Sequence, residues 1–213
     1  MDRLLLALEL AGSMGVALLL REHVRALVAD RLGDGSPRRF GWLRLDPRPK
    51  LDPLGSLILP GLIVILWASG AGYQPPPFAY AKPMPLEPSW LRRGERDAAW
   101  VALAGPLANL ALAVVIGVLV RIPMTPEAAR ATAIALYTNV VFFVFHLMPI
   151  PGLDGAHLLA RVLPPRARHT YENLGEYLPL FVLLVFFLLA GPLLGIVQGL
   201  SNLVCRVVAG VPC

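Results

Sequence analysis

The sequence predicts an all-α polytopic membrane protein, and three observations carry that expectation. The chain of 213 residues is 56% hydrophobic and only 15% charged, with a mean hydropathy of +0.64, whereas soluble domains carry roughly 25% charged residues. Apolar runs over residues 4–20, 98–120, 131–147 and 178–200 approach the ~20 residues that cross hydrocarbon; a further apolar segment covers 57–71. Finally, Arg31, Arg38, Arg39, Arg44, Arg48 and Lys50 crowd one short connection, which the positive-inside bias makes cytoplasmic. The net charge of +5 therefore reads as topology. No basic stripe with interleaved aromatics suggests nucleic acid. One domain is expected over 1–213.

The elements follow in order. A first helix is expected over residues 4–31, with Arg3 and an apolar core but no small-x-small cleavage pattern of a leader. Glu9 lies inside its apolar part and is expected near the outer interface, where snorkelling is cheap. The first helix then runs from outside to inside, with the N-terminus outside and residues 31–50 cytoplasmic. Gly33-Asp34-Gly35 and Pro37 end it. Trp42-Leu43-Arg44-Leu45 alternates like a short strand. Residues 57–71, containing Pro60, are short for a full span. They either dip and return or cross and are brought back. Prolines 75, 76, 77, 83, 85 and 88 exclude regular helix, so an extended insertion is expected there. The run 98–120 contains Gly105-Pro106, small residues that allow close helix approach. The run 131–147 ends at His146, ahead of a Pro-broken stretch leading to Asp154. A basic connection with Pro164-Pro165 precedes the last span, 178–200. Cys205 and Cys213 form no Cys-x-x-Cys metal motif.

One place concentrates charge where charge is costly. Arg21 and Arg25 stand four residues apart, hence on one helix face, and Glu22 lies beside them. Ionisable groups at membrane depth mark a functional site.

The frame R-E-H-V-R-A-L-V-A-D-R-L-G-D over 21–34 resembles the zinc-binding helix of the site-2 protease family of intramembrane metalloproteases, H-E-x-x-H-A-x-x-A-x-x-x-G-D. Glu22, Ala26, Ala29, Gly33 and Asp34 match; Arg21 and Arg25 replace both histidines. Further likenesses follow in order: G-W-L-R-L-D-P at 41–47, L-D-P-L-G at 51–55 with Pro60, A-K-P-M-P at 81–85, A-G-P-L-A-N at 104–109 and L-D-G at 153–155. The A-K-P-M-P run points to the compact bacterial-type subgroup without a PDZ domain. Together they cover nearly the whole chain.

The resemblance implies a site-2 protease-like membrane core in a bacterial-type cell membrane. In active relatives the two motif histidines and the Leu-Asp-Gly aspartate bind zinc, and the glutamate is the general base. Carried over, Glu22 is a vestigial base and Asp154 a vestigial metal ligand. Arg21 and Arg25 fill the other ligand positions, yet a guanidinium has no acceptor lone pair. His146 replaces an asparagine that helps hold substrate or the developing oxyanion. His157 takes a place usually held by arginine and is expected at the site or the interface, whereas His169 lies in an Arg-rich, solvated connection. Two guanidinium groups match the formal charge of a zinc ion, so Arg21 and Arg25 are expected to pair with Glu22 and Asp154. No bound cofactor is expected. The reading is a pseudoprotease in the lipid bilayer that binds a single-span membrane client or regulates an active relative. The alternatives are an active zinc metalloprotease with a rearranged ligand set, such as His146, Asp154 and Glu22, and a structural subunit of a membrane complex.

Overall fold

A computed structural model describes residues 2–70, 72, 74–177 and 190–210. Helix α1 (Asp2–Leu32) leads. Short α2 (Ser36–Arg39) follows, then a π-helical turn (Pro53–Ile58) running into α3 (Leu59–Ser69). Next come α4 (Glu95–Leu119), α5 (Pro126–Leu147), α6 (Asp154–Ala160), α7 (Pro165–Asn173) and α8 (Ala190–Ala209). The architecture is all-α, with no strand among the described residues. Three helices, α1, α4 and α5, are long and apolar enough to cross a membrane, and Pro53–Ser69 forms a shorter apolar helix. This is a membrane protein. The last expected span begins at 178, but residues 178–189 lie outside the described residues, and helix is described there only from Ala190.

Local chemistry sets the boundaries. Asp52 caps the π-helical turn by accepting from the Gly55 N–H at 2.7 Å, with Pro53 next. Gly70, at φ 71°, ends α3 in the left-handed conformation that glycine adopts freely. Helix α5 starts at Pro126, five residues before the apolar run at 131, because Thr125 Oγ1 accepts from Ala128 N and Pro126 has no N–H to lose. It stops at Met148, just ahead of Pro149.

The core is where α1, α4 and α5 meet, around Leu10, Met14, Ala17, Ala113, Val140 and Val141. Glu9 does not snorkel alone. Both its oxygens accept from Arg130, at 3.0 Å each, tying the start of α1 to α5. Trp42–Leu45 is not a strand. Trp42 N donates to Pro37 O, Arg44 N to Gly41 O, and Gly41 has φ 78°. These bonds close turns inside the segment, in which Trp42 is buried, Leu43 half-buried and Leu45 exposed.

The expected extended insertion is present. Residues 74–87 run as a strap without helix. The end of α3 lies beside the start of α1, where Arg3 donates to Ser69 O at 3.1 Å. The strap returns from there: Trp67 Nε1 donates to Pro75 O, Tyr80 N to Gly55 O, Lys82 N to Lys50 O and Glu87 N to Asp34 Oδ2. Fourteen extended residues reach about 46 Å, about the length of a 31-residue helix at 1.5 Å per residue. Pro53–Ser69 is the shorter apolar helix; it packs along the first part of α1, from the level of Leu18 to Arg3, and the strap brings the chain back.

Candidate functional site

Helix α1 carries Arg21, Glu22 and Arg25, and the first residue of α6 is Asp154. The turn after α5 delivers Asp154 back to α1. Glycine is required at two points of this approach. A Cβ on Gly155 would fall 2.1 Å from Leu147 O, so only glycine lets α6 close onto the end of α5. A Cβ on Gly105 of α4 would fall 2.8 Å from Arg25 Cδ and 3.4 Å from Asp154 Oδ2. The Arg25 side chain thus passes against bare backbone on its way to the carboxylate.

The four ionisable groups alternate in a ring. Arg21 Nη1 donates to Glu22 Oε1 at 2.6 Å, and Arg21 Nη2 donates to Asp154 Oδ2. Arg25 Nη1 lies 3.2 Å from Glu22 Oε2, and Arg25 Nη2 lies 3.3 Å from Asp154 Oδ1. Each arginine touches both carboxylates. The side chains of Arg21, Glu22 and Asp154 are 3%, 1% and 4% exposed, and that of Arg25 is 13%. Charges so far from water are strongly coupled, and the ring is formally neutral.

His146 stands apart from the ring. Its Nε2 lies 3.0 Å from Ala79 O, in the strap. A carbonyl only accepts, so Nε2 carries the proton. The ring packs between Phe142 and Phe145, and Nδ1 has no hydrogen-bond partner among the described residues. The strap's Phe78 stacks on Phe145 at 4.4 Å. His146 therefore receives a carbonyl from the chain itself. His157 is exposed on α6, and His169 is exposed near Asn173 on α7.

Two positions carry more than their sequence signal suggested. Lys50, one of six cations in a loop, is only 2% exposed, and its Nζ donates to Arg44 O at 3.0 Å. Burial pulls its ammonium below the usual lysine range, against the opposing fields of Glu22 and Asp46. Asp34 is fully buried. Its Oδ1 accepts from Ser36 N at 2.8 Å and its Oδ2 from Glu87 N at 2.7 Å. Burial alone would raise this carboxyl, but those bonds and Arg39 hold it below its ordinary value. Asp34 latches the end of α1 to the end of the strap. For Lys50, a helical or strand-like period would have given no clue, because the loop that covers it is irregular.

No family model matches the chain, and no solved structure matches it. Curated sequences do. The chain is 32% identical over 193 residues to Rip2 of Mycobacterium tuberculosis, covering 88% of this chain and 71% of that protein. It is 30% identical over 182 residues to YwhC of Bacillus subtilis, covering 81% and 76%. Both proteins are named as inferred zinc metalloproteases, and both are site-2 protease family members. The chain belongs to the site-2 protease family. Rip2 of Mycolicibacterium smegmatis is 35% identical over 164 residues, covering 76% of this chain and 59% of that protein. As a site-2 protease homologue, this chain has its family helix in α1, its Ala-Gly-Pro motif in α4 against Arg25, and its Leu-Asp-Gly motif at the start of α6.

Proposed function

We propose that this chain is a non-proteolytic member of its family, a membrane pseudoprotease that binds membrane-helix clients or regulates an active relative. One observation carries the reading: Arg21 and Arg25, which the motif resemblance sets at the histidine positions, each reach both Glu22 and Asp154. The donor set does not fit a zinc ion. A guanidinium offers no lone pair and stays protonated, and its N–H groups already fill the faces of the carboxylates that would coordinate. The rearranged set of His146, Asp154 and Glu22 is disfavoured because both carboxylates are already held by the two guanidiniums, whose charges oppose a cation there. No group of three or more metal-binding side chains converges among the described residues. The pairing thus substitutes two fixed cations for a dication.

The same reading implies a topology. The N-terminus lies outside and residues 31–50 lie in the cytoplasm, following their positive charge. Arg92 N donates to Leu32 O, so the start of α4 sits beside the end of α1 and α4 runs from inside to outside. Helix α5 returns, which supports a multi-pass chain.

Zinc content tests the proposal. Purified wild-type chain is expected to carry far less than one zinc per chain. Replacing Arg21 and Arg25 together by histidine is expected to restore binding, because Asp154 and the i, i+4 spacing remain. Either replacement alone is expected to fail, since one cation stays where the metal must sit. Stoichiometric zinc in the wild type, lost on Asp154→Ala, returns the chain to the active proteases. A double variant that folds yet takes up no zinc removes the ligand-position assignment.

A further inference from the structure

The end of the bundle where α1 stops and α4 starts carries a surface that the site does not use. Helix α1 spans about 46 Å at 1.5 Å per residue, longer than the ~30 Å hydrocarbon layer, so this end reaches the headgroup level. There the turn after α2 exposes two large apolar side chains, Phe40 at 65% and Leu45 at 86%. Trp90 is 49% exposed and lies under the Arg39 guanidinium, 4.3 Å from ring centroid to Cζ. Arg44 Cδ lies near Gly41, 3.9 Å from where a Cβ on that glycine would sit. Arg39, Arg44, Arg92 and Arg93 are exposed and make no ion pair among the described residues.

Apolar side chains exposed to this degree beside unpaired arginines suit a surface that is apolar below and anionic above. Aqueous solvent satisfies the arginines but not Phe40 and Leu45. A zwitterionic headgroup layer accepts the apolar groups but offers no net charge to the guanidiniums. We propose that this surface binds anionic phospholipid: Phe40 and Leu45 enter the acyl boundary while Arg39, Arg44, Arg92 and Arg93 take the phosphates. Trp90 holds Arg39 at the level of the headgroups, as interfacial aromatics do. The inference rests on the membrane setting and not on the loss of proteolysis, so either can fail without the other.

The test uses the full chain purified in detergent and equilibrated with an equimolar mixture of phosphatidylglycerol and phosphatidylcholine, followed by quantification of retained lipid. The wild type is expected to retain phosphatidylglycerol preferentially. Each substitution in the set Arg39→Gln, Arg44→Gln, Arg92→Gln and Arg93→Gln is expected to lower that preference by up to about fivefold. Phe40→Ser with Leu45→Ser is expected to lower retention of both lipids while leaving their ratio in place. Equal retention of the two lipids by the wild type overturns the proposal; it is the outcome expected if a protein partner is the true occupant. So does a preference that survives all four arginine substitutions. Should the quadruple variant fail to fold, salt decides on the wild type. Screening shortens from about 10 Å at 0.1 M to about 3 Å at 1 M, and a preference that persists at the higher salt overturns the assignment.

Discussion

Arg21 donates to Asp154 across 133 residues of sequence, joining the family helix to the Leu-Asp-Gly turn. Arg25 repeats the connection at 3.3 Å, and Glu22 closes the ring from within α1. The contact ties together two elements that lie far apart in sequence. It needs no ligand to hold the two elements together.

If the ring works as a bridge, its members are coupled. Arg21→Ala alone leaves Asp154 with one partner in a dry setting, and Asp154→Ala leaves two arginines sharing one carboxylate. Each is expected to cost about 3–5 kcal/mol, the range for removing one partner of a buried pair. The double variant is expected to cost clearly less than the sum, measured by reversible unfolding in detergent micelles. Coupling near zero in that cycle would mean that the arginines are held by something other than Asp154.

The glycine in the Ala-Gly-Pro motif is expected to act through Arg25. In Gly105→Ala the new methyl meets Arg25 Cδ at 2.8 Å, and overpacking of that kind costs about 1–3 kcal/mol. The same substitution in an Arg25→Ala background is expected to be nearly neutral, because the obstructing side chain is gone. An equal penalty in both backgrounds places the strain elsewhere in α4. Gly155→Ala is expected to be worse in either background, since the clash there is with the Leu147 carbonyl, which is backbone.

The Asp34 latch gives a pH signature. Its carboxyl is held below its ordinary value, with burial opposing and the Ser36 and Glu87 N–H groups prevailing. A depressed carboxylate contributes stability that is present above the unfolded value of about 3.9 and is lost as pH falls through the folded value. Asp34→Asn is therefore expected to be less stable than wild type at neutral pH, by about 1–3 kcal/mol for weakened bonds to two backbone donors. The gap is expected to narrow below pH ~4. A gap that stays constant down to acid pH would show that the charge of Asp34 contributes nothing.

The family was legible because several short motifs stand in the right order, and the all-α class was legible because apolar length and charge scarcity are properties of whole segments. The four ring residues could be named from sequence: two share a helix face by spacing, and Asp154 follows from its motif. The geometry that seats them could not. Gly105 reads as a packing residue until Arg25 is seen lying on it. Lys50 reads as one more loop cation, because nothing local shows that a turn folds over it. Trp42–Leu45 imitates a strand because apolar residues flank Arg44 in a run of turns, where Leu43 packs with Trp42 but Leu45 is exposed. The start of α5 was missed because Thr125 and Pro126 extend the helix beyond its apolar part, which hydropathy does not register.

The strap and the ring also constrain how the chain can be made. Arg21 leaves the ribosome 133 residues before Asp154, a delay of roughly 7–27 s at 5–20 residues per second. Through that interval α1 holds two guanidiniums with Glu22 as their nearest acidic neighbour, and the Ala79 carbonyl awaits a histidine 67 residues downstream. Glu22, on the same helix, offsets one of those two charges. It halves the formal charge of that arginine pair until the distant partner arrives.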